Sequence, residues 1–218
     1  MDKRLIEFGV ARSQNIINEA ARANVSVTDV ARGYTYTTRD DDFFSTPLVI
    51  PHNPFNAEVL AAKNILEIGC GVGRNLPWVY ENTQAHYWGV DPNPVMLREF
   101  WNVTDTKYAD RATIVADFSE LPRDLVVDVV EVVFVFQHLG YRNPQEGMNV
   151  TEITREAMKF TRPGTIWWIL EHEREERWMG RWFEDIGIEP DAFEFNYQGI
   201  PEMTHRGSDS HLVIWKQR

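Results

Sequence analysis

Ile65–Gly73 reads ILEIGCGVG, an apolar run that ends on glycines at alternate positions. An apolar strand stopped by Gly69, Gly71 and Gly73 lets the backbone turn sharply and approach a ligand at points where any Cβ would collide. Working outward, His86–Asp91 (HYWGVD) is a second apolar run, and its terminal acid comes 18 residues after Gly73. An acid at the end of the second strand of such a unit is placed to accept hydrogen bonds from the hydroxyls of a ribose.

The alternation continues in both directions. A helical segment at about 74–82 lies between these runs, and Pro94–Val103 is a helix opened by its proline. Ala112–Asp117 (ATIVAD) and Val127–Val133 (VDVVEVV) predict a third and a fourth strand. A helix at about 149–161 stops at Pro163-Gly164, and Thr165–Glu171 (TIWWILE) follows as a fifth strand. Strands separated by helix-length segments need right-handed crossovers, so the sheet is parallel and covered on both faces. After a helix expected at about 175–186, Ala192–Tyr197 and His211–Lys216 predict two further strands pairing antiparallel at an edge. The expectation is an α/β, doubly wound, mostly parallel seven-stranded sheet. Residues 1–54 form a separate N-terminal part: one or two short amphipathic helices up to about residue 32, then a long loop. Residues 55–218 form the sheet domain.

Composition narrows the function classes. The 218 residues carry 22 Lys and Arg against 33 Asp and Glu, a formal net charge of −11. Holding a phosphate backbone needs clustered cations, so a nucleic-acid partner is not expected. Cys70 is the only cysteine, which excludes an internal disulfide and suits a reducing compartment. The first 25 residues show no apolar signal region, and the longest apolar stretch, Leu125 to Phe136, is interrupted by Asp128 and Glu131. The expectation is a cytoplasmic protein with no membrane partner, acting as a monomer or homodimer.

The ordered set Ile65–Gly73, Tyr87–Asp91 (YWGVD), Val115–Phe118 (VADF), Val127–Leu139 (VDVVEVVFVFQHL) and Arg162–Gly164 (RPG) resembles the class I S-adenosylmethionine-dependent methyltransferases over about residues 55–175. The resemblance implies a Rossmann-like fold and S-adenosylmethionine as cofactor, with S-adenosylhomocysteine as product. It implies that Gly69, Cys70 and Gly71 run beneath the methionine part and that Glu67 supports the loop or meets the amino group. Asp91 would hold the ribose, Pro92 and Met96 would flank the adenine, and Asp117 with the Phe118 amide would meet the adenine edge. Val133 and Phe134 would pass near the sulfonium. At this strand end the family usually carries small polar residues, and this chain carries Glu131 to Phe134 instead.

Methyl transfer from a sulfonium is an in-line displacement dominated by positioning, and an oxygen or protonated nitrogen acceptor also needs a base. Three positions near the crevice are candidates: His138 just beyond the fourth strand, Glu131 within it, and Glu171 at the end of the fifth. A carboxylate in an apolar central strand is costly unless paired, so Glu131 either points into the site or meets a basic neighbour. No metal site is expected. The acceptor is expected to be a small molecule, methylated on oxygen or nitrogen. The alternatives are a protein or nucleic-acid methyltransferase, or a protein that binds or degrades the cofactor without methyl transfer. Asp40, Asp41 and Asp42, with Tyr34, Tyr36, Phe43 and Phe44, form an acidic aromatic segment near the expected acceptor side. His52-Asn53-Pro54-Phe55 superficially resembles an amine-gripping motif and is read as a proline turn entering the domain.

Overall fold

The computed structural model describes residues 3–35, 47–50, 52–133, 150–172, 193–205 and 208–218. Two helices open the chain, α1 (Lys3–Ala23) and α2 (Val27–Thr35). After the short α3 (Asn56–Leu60) the alternation runs β1 (Asn64–Ile68), α4 (Leu76–Asn82), β2 (His86–Val90), α5 (Pro94–Val103), β3 (Ala112–Val115), β4 (Val129–Val133), α6 (Val150–Met158) and β5 (Ile166–His172). The chain closes with β6 (Phe193–His205) and β7 (Ser208–Gln217).

Seven strands form one sheet in the order β3-β2-β1-β4-β5-β7-β6. The first five are parallel, and β7 is antiparallel to both β5 and β6. The expected hairpin is therefore present, with its second strand set inside the sheet and its first at the edge. Strand order reverses between β1 and β4, and in open parallel sheets ligands bind outside the carboxyl ends at such a reversal.

Side-chain alternation divides the core between the two faces of the sheet. Leu66, Val130, Val132 and Trp167 pack with Ile153 and Ala157 of α6. Ile65, Val129, Ile166 and Trp168 pack with Leu76 and Val79 of α4 on the other face. The β-branched run at Val129–Val133 suits a strand covered on both sides.

The N-terminal part is more regular than its sequence suggests, because α1 runs unbroken for 21 residues. Ile16 and Ala20 of α1 and Val30 and Ala31 of α2 are buried against Val72, Val95 and Met96. The two helices thus rest on α5 and on the glycine turn. Helix α3 has five residues, too few for a periodic apolar signal, and was not expected. Asn53 is buried and its Oδ1 accepts from the Phe55 amide at 3.0 Å, while His52 is exposed, as a turn entering the domain requires. Segment 36–46 and the helix expected at about 175–186 lie outside the described residues.

Candidate functional site

Gly69, Gly71 and Gly73 have φ values of 71°, 54° and 82°, the left-handed region that glycine enters without cost. The amides of Gly69 and Cys70 both donate to the Val90 carbonyl, at 2.7 and 3.3 Å, which ties the turn to the end of β2. At Gly73 a Cβ would stand 2.4 Å from Phe100 Cζ, so this glycine also allows α5 to pack closely. The Thr104 hydroxyl donates to the Val72 carbonyl and fixes the same turn to the end of α5.

Asp91 follows β2 directly. Its Oδ2 accepts from the Gly71 amide at 2.9 Å and its Oδ1 from the Asn93 amide at 2.8 Å. The carboxylate therefore bridges the glycine turn and the next loop, and each oxygen keeps a further lone pair for an outside donor. Burial pushes its pKa up to about 6, while the two amides and the Arg12 guanidinium of α1 act in the opposite direction.

Helix α1 adds residues to this loop that sequence reasoning did not find. Ser13 Oγ donates to Asn93 Oδ1 at 2.5 Å and accepts from the Val95 amide at 3.2 Å. Asn93 Oδ1 in turn caps α5, accepting from Val95 and Met96 amides. A Cβ on Gly9 would lie 1.9 Å from the Pro92 carbonyl oxygen, so α1 touches the loop backbone to backbone. The one available sequence signal was the pair of small residues Gly9 and Ser13, four apart on one helix face.

Beneath the turn, β1 and β4 pair with Glu67 opposite Glu131. Both are buried, Glu131 completely. Tyr87 donates its hydroxyl to Glu67 Oε2, and Asn75 Nδ2 donates to Glu131 Oε1 and lies 3.5 Å from Glu67 Oε1. Burial raises Glu67 to about 8, opposed by the Tyr87 bond and the charge of Arg74. Burial, and then the neighbouring Glu67, push Glu131 well above the ordinary carboxyl range. Glu131 thus meets another carboxyl and the Asn75 amide, and the charge of Arg74 acts on it in the opposite direction to burial.

The remaining expected residues divide. Asp117 accepts from the Ser119 amide at 2.8 Å, and Phe118 is buried, its ring stacked 6.3 Å from that of Phe160. Pro92 meets α1 through its carbonyl, and Met96 is buried in the cluster beneath α1 and α2, which makes it a seat for those helices. Cys70 is buried, and burial beside Asp91 and Glu67 pushes its thiol well above the usual range, away from the thiolate form that reacts. Val133 is half-buried at the end of β4. Phe134 and His138 lie outside the described residues. Glu171 lies within β5. Among the described residues no cluster of His, Cys, Asp and Glu is placed to hold a metal, and no helix is long and apolar enough to cross a membrane.

A glycine turn joined through a buried aspartate to the second strand, at the reversal point of a parallel sheet, defines a Rossmann-like nucleoside-cofactor fold. Residues 65–164 match the family described as "Methyltransferase domain". The matched stretch is a methyltransferase domain of the class I, S-adenosylmethionine-dependent kind, and S-adenosylmethionine is its cofactor.

The similar solved structures share the fold at low identity. An S-adenosylmethionine-dependent methyltransferase from Aquifex aeolicus is 14% identical with a TM-score of 0.54, over 75% of this chain and 94% of that one. Magnesium protoporphyrin IX methyltransferase from Synechocystis PCC 6803, solved with bound cofactor, is 15% identical with a TM-score of 0.54, over 73% and 72%. The [4+2]-cyclase SpnF is 14% identical with a TM-score of 0.54, over 72% and 75%. These neighbours differ in reaction, so the fold alone leaves the acceptor open. None of the curated proteins matches the sequence.

Proposed function

We propose that the protein transfers the methyl group of S-adenosylmethionine to an oxygen or nitrogen of a small molecule. The observation that carries the cofactor's placement is the Asp91 carboxylate, held between the Gly71 and Asn93 amides with lone pairs left for ribose hydroxyls. The residues present fit the cofactor: the glycine turn offers close backbone approach, and Glu131 Oε2 is a buried oxygen with no hydrogen-bond partner among the described residues. A small acceptor suits the net charge of −11, which opposes docking on a phosphate backbone, and suits a cofactor loop on which α1 already rests.

The bound cofactor supplies an electrophilic methyl on a sulfonium. The chain's own part is to bind and to orient. Gly69 to Gly71 present backbone to the methionine part, Asp91 accepts from the ribose, and Asp117 with the Phe118 amide addresses the adenine edge. His138, a few residues beyond β4, takes the acceptor's proton, with Glu171 on the neighbouring strand end as the second candidate. The single cysteine suits action in the cytoplasm, and the acidic segment at Asp40–Asp42 suits an acceptor that is not an anion.

Calorimetry with S-adenosylhomocysteine tests the reading. Binding to the wild-type protein and a loss of at least tenfold in Asp91→Ala are expected. No binding, or full affinity in Asp91→Ala, refutes it. Methyl transfer from labelled cofactor to protein or RNA in preference to small alcohols, phenols and amines refutes the small-molecule acceptor.

A further inference from the structure

Helix α1 meets the cofactor loop along one line of residues. Gly9 approaches the backbone of Pro92 and Asn93, Ser13 bonds to Asn93, and Ile16 and Ala20 are buried further along. At helical spacing the two sides of this line are not alike. On one side Ile6, Val10 and Ile17 are exposed. On the other, Phe8 packs against the cluster that includes Val90, Val115 and Phe118. Val90 and Val115 are the last residues of β2 and β3, so this side of α1 belongs to the carboxyl end of the sheet. Arg12 stands one turn after Phe8, with its guanidinium carbon 5.5 Å from the ring centroid, a distance at which an aromatic face holds a cation. Among the described residues no oxygen accepts from the N–H groups of this guanidinium, and its charge reaches the Asp91 carboxylate, where it opposes the effect of burial. A cation and a carboxylate set close without pairing are completed by a group that donates to the one oxygen and accepts from the other nitrogen. A hydroxyl is such a group, because its O–H donates and its lone pairs accept.

We propose that Arg12 of α1 is a binding residue for the cofactor's ribose, donating to the oxygens of the hydroxyls whose protons go to Asp91. The inference rests on the S-adenosylmethionine reading and adds to it a donor from outside the sheet domain. The diol is then held from both sides, by an acceptor that follows β2 and a donor that α1 brings to it. The amino-acid end of the cofactor lies toward the glycine turn under the same reading, whereas Phe8 sets Arg12 on the β2–β3 side, that of the nucleoside. Two features suit the role. The ring of Phe8 restrains the guanidinium before any ligand arrives, so less side-chain freedom is lost on binding. The planar fork also matches two adjacent oxygens, which the point charge of a lysine does not.

The test joins calorimetry with S-adenosylhomocysteine to NMR titrations with adenosine and with 2′,3′-dideoxyadenosine, which lacks both hydroxyls. Arg12→Met keeps an apolar stem against Phe8 and removes the donors. It is expected to weaken S-adenosylhomocysteine about tenfold, as the loss of one hydrogen bond to a charged group does. The preference of the wild-type protein for adenosine over the dideoxy analogue is expected to shrink by the same factor. In the wild-type protein the Arg12 Nε–H signal, identified by its loss in the variant, is expected to move with adenosine and to stay with the dideoxy analogue. A signal that adenosine leaves unmoved overturns the proposal without any variant. So does equal affinity of the two proteins for S-adenosylhomocysteine. A loss in Arg12→Met that falls equally on adenosine and its dideoxy analogue also overturns it, since the residue then acts through the seating of α1 and not through the diol. If neither S-adenosylhomocysteine nor adenosine binds the wild-type protein, the cofactor reading itself fails, and the inference with it.

Discussion

Replacing Gly9 with alanine tests whether helix α1 is part of the cofactor site or an appendage to it. In an unhindered helix this change stabilises by up to about 1 kcal/mol, because alanine loses less backbone freedom than glycine. At Gly9 the new methyl would stand 1.9 Å from the Pro92 carbonyl oxygen and 2.6 Å from its carbon. Even close C–H···O contacts sit at about 3.3 Å, so α1 must retreat by more than about 1 Å along a line that meets only backbone. That retreat stretches both Ser13 contacts beyond hydrogen-bonding range, at about 1 kcal/mol each. It also loosens Ile16 and Ala20 from Val72 and Val95. The expected net effect is a destabilisation of about 2–3 kcal/mol, opposite in sign to the intrinsic preference. Gly33 in α2 supplies the control, since a Cβ there meets nothing within 4 Å. Gly33→Ala is expected to stabilise by about 0.5–1 kcal/mol. Urea titrations of the three proteins decide the matter, and calorimetry with S-adenosylhomocysteine adds that only Gly9→Ala weakens binding, because Pro92 and Asn93 belong to the loop that carries Asp91. If Gly9→Ala and Gly33→Ala shift the midpoint equally upward, α1 does not seat on the loop as described and the reasoning is wrong.

Other outcomes follow from the same contacts. Gly73→Ala combines a left-handed φ of 82° with a methyl 2.4 Å from Phe100 Cζ, and is expected to cost about 2–4 kcal/mol; an unchanged urea midpoint contradicts the close packing of turn and α5. Glu67 is held at about 8 against an ordinary 4.5, and Glu131 is raised as well, so between these limits the folded protein binds more protons than the unfolded chain. The stability contribution of the protonated pair is complete below about pH 4.5 and is lost as pH rises through about 8, with a slope of up to about 1.4 kcal/mol per pH unit for one proton. Asp91, raised to about 6, adds a loss of the same sign between about pH 4 and 6. Melting curves from pH 5 to 8 are therefore expected to fall in the wild-type protein and to fall less in Glu131→Gln, and a flat or rising wild-type profile contradicts the buried pair.

What the sequence disclosed and what it withheld divides along a physical line. Strands, crossovers and the glycine turn are local: their signals are apolar runs, periodicity and φ requirements, and Ile65–Gly73, Pro94–Val103 and Asp91 lie where those signals put them. The role of α1 is non-local. Ser13 and Asn93 are eighty positions apart, and a helix that docks through a glycine and a serine shows weak amphipathicity just where its contact is closest. Glu131 illustrates the same limit in energetic terms. Its cost in an apolar strand was legible, but its surroundings were not, because the pairing of β1 with β4 sets the acid Glu67 opposite it while Arg74 of the glycine turn supplies the basic charge. Register settled the question: a shift of one residue would have turned Glu131 to the α6 face, away from Glu67, Tyr87 and Asn75. The buried carboxyl pair is thus a product of strand order and register together. A purely structural role is satisfied by glutamine, which keeps the Asn75 contact and avoids the buried charge. If Glu131→Gln is more stable and still binds S-adenosylhomocysteine as tightly, the acid has no work at this site.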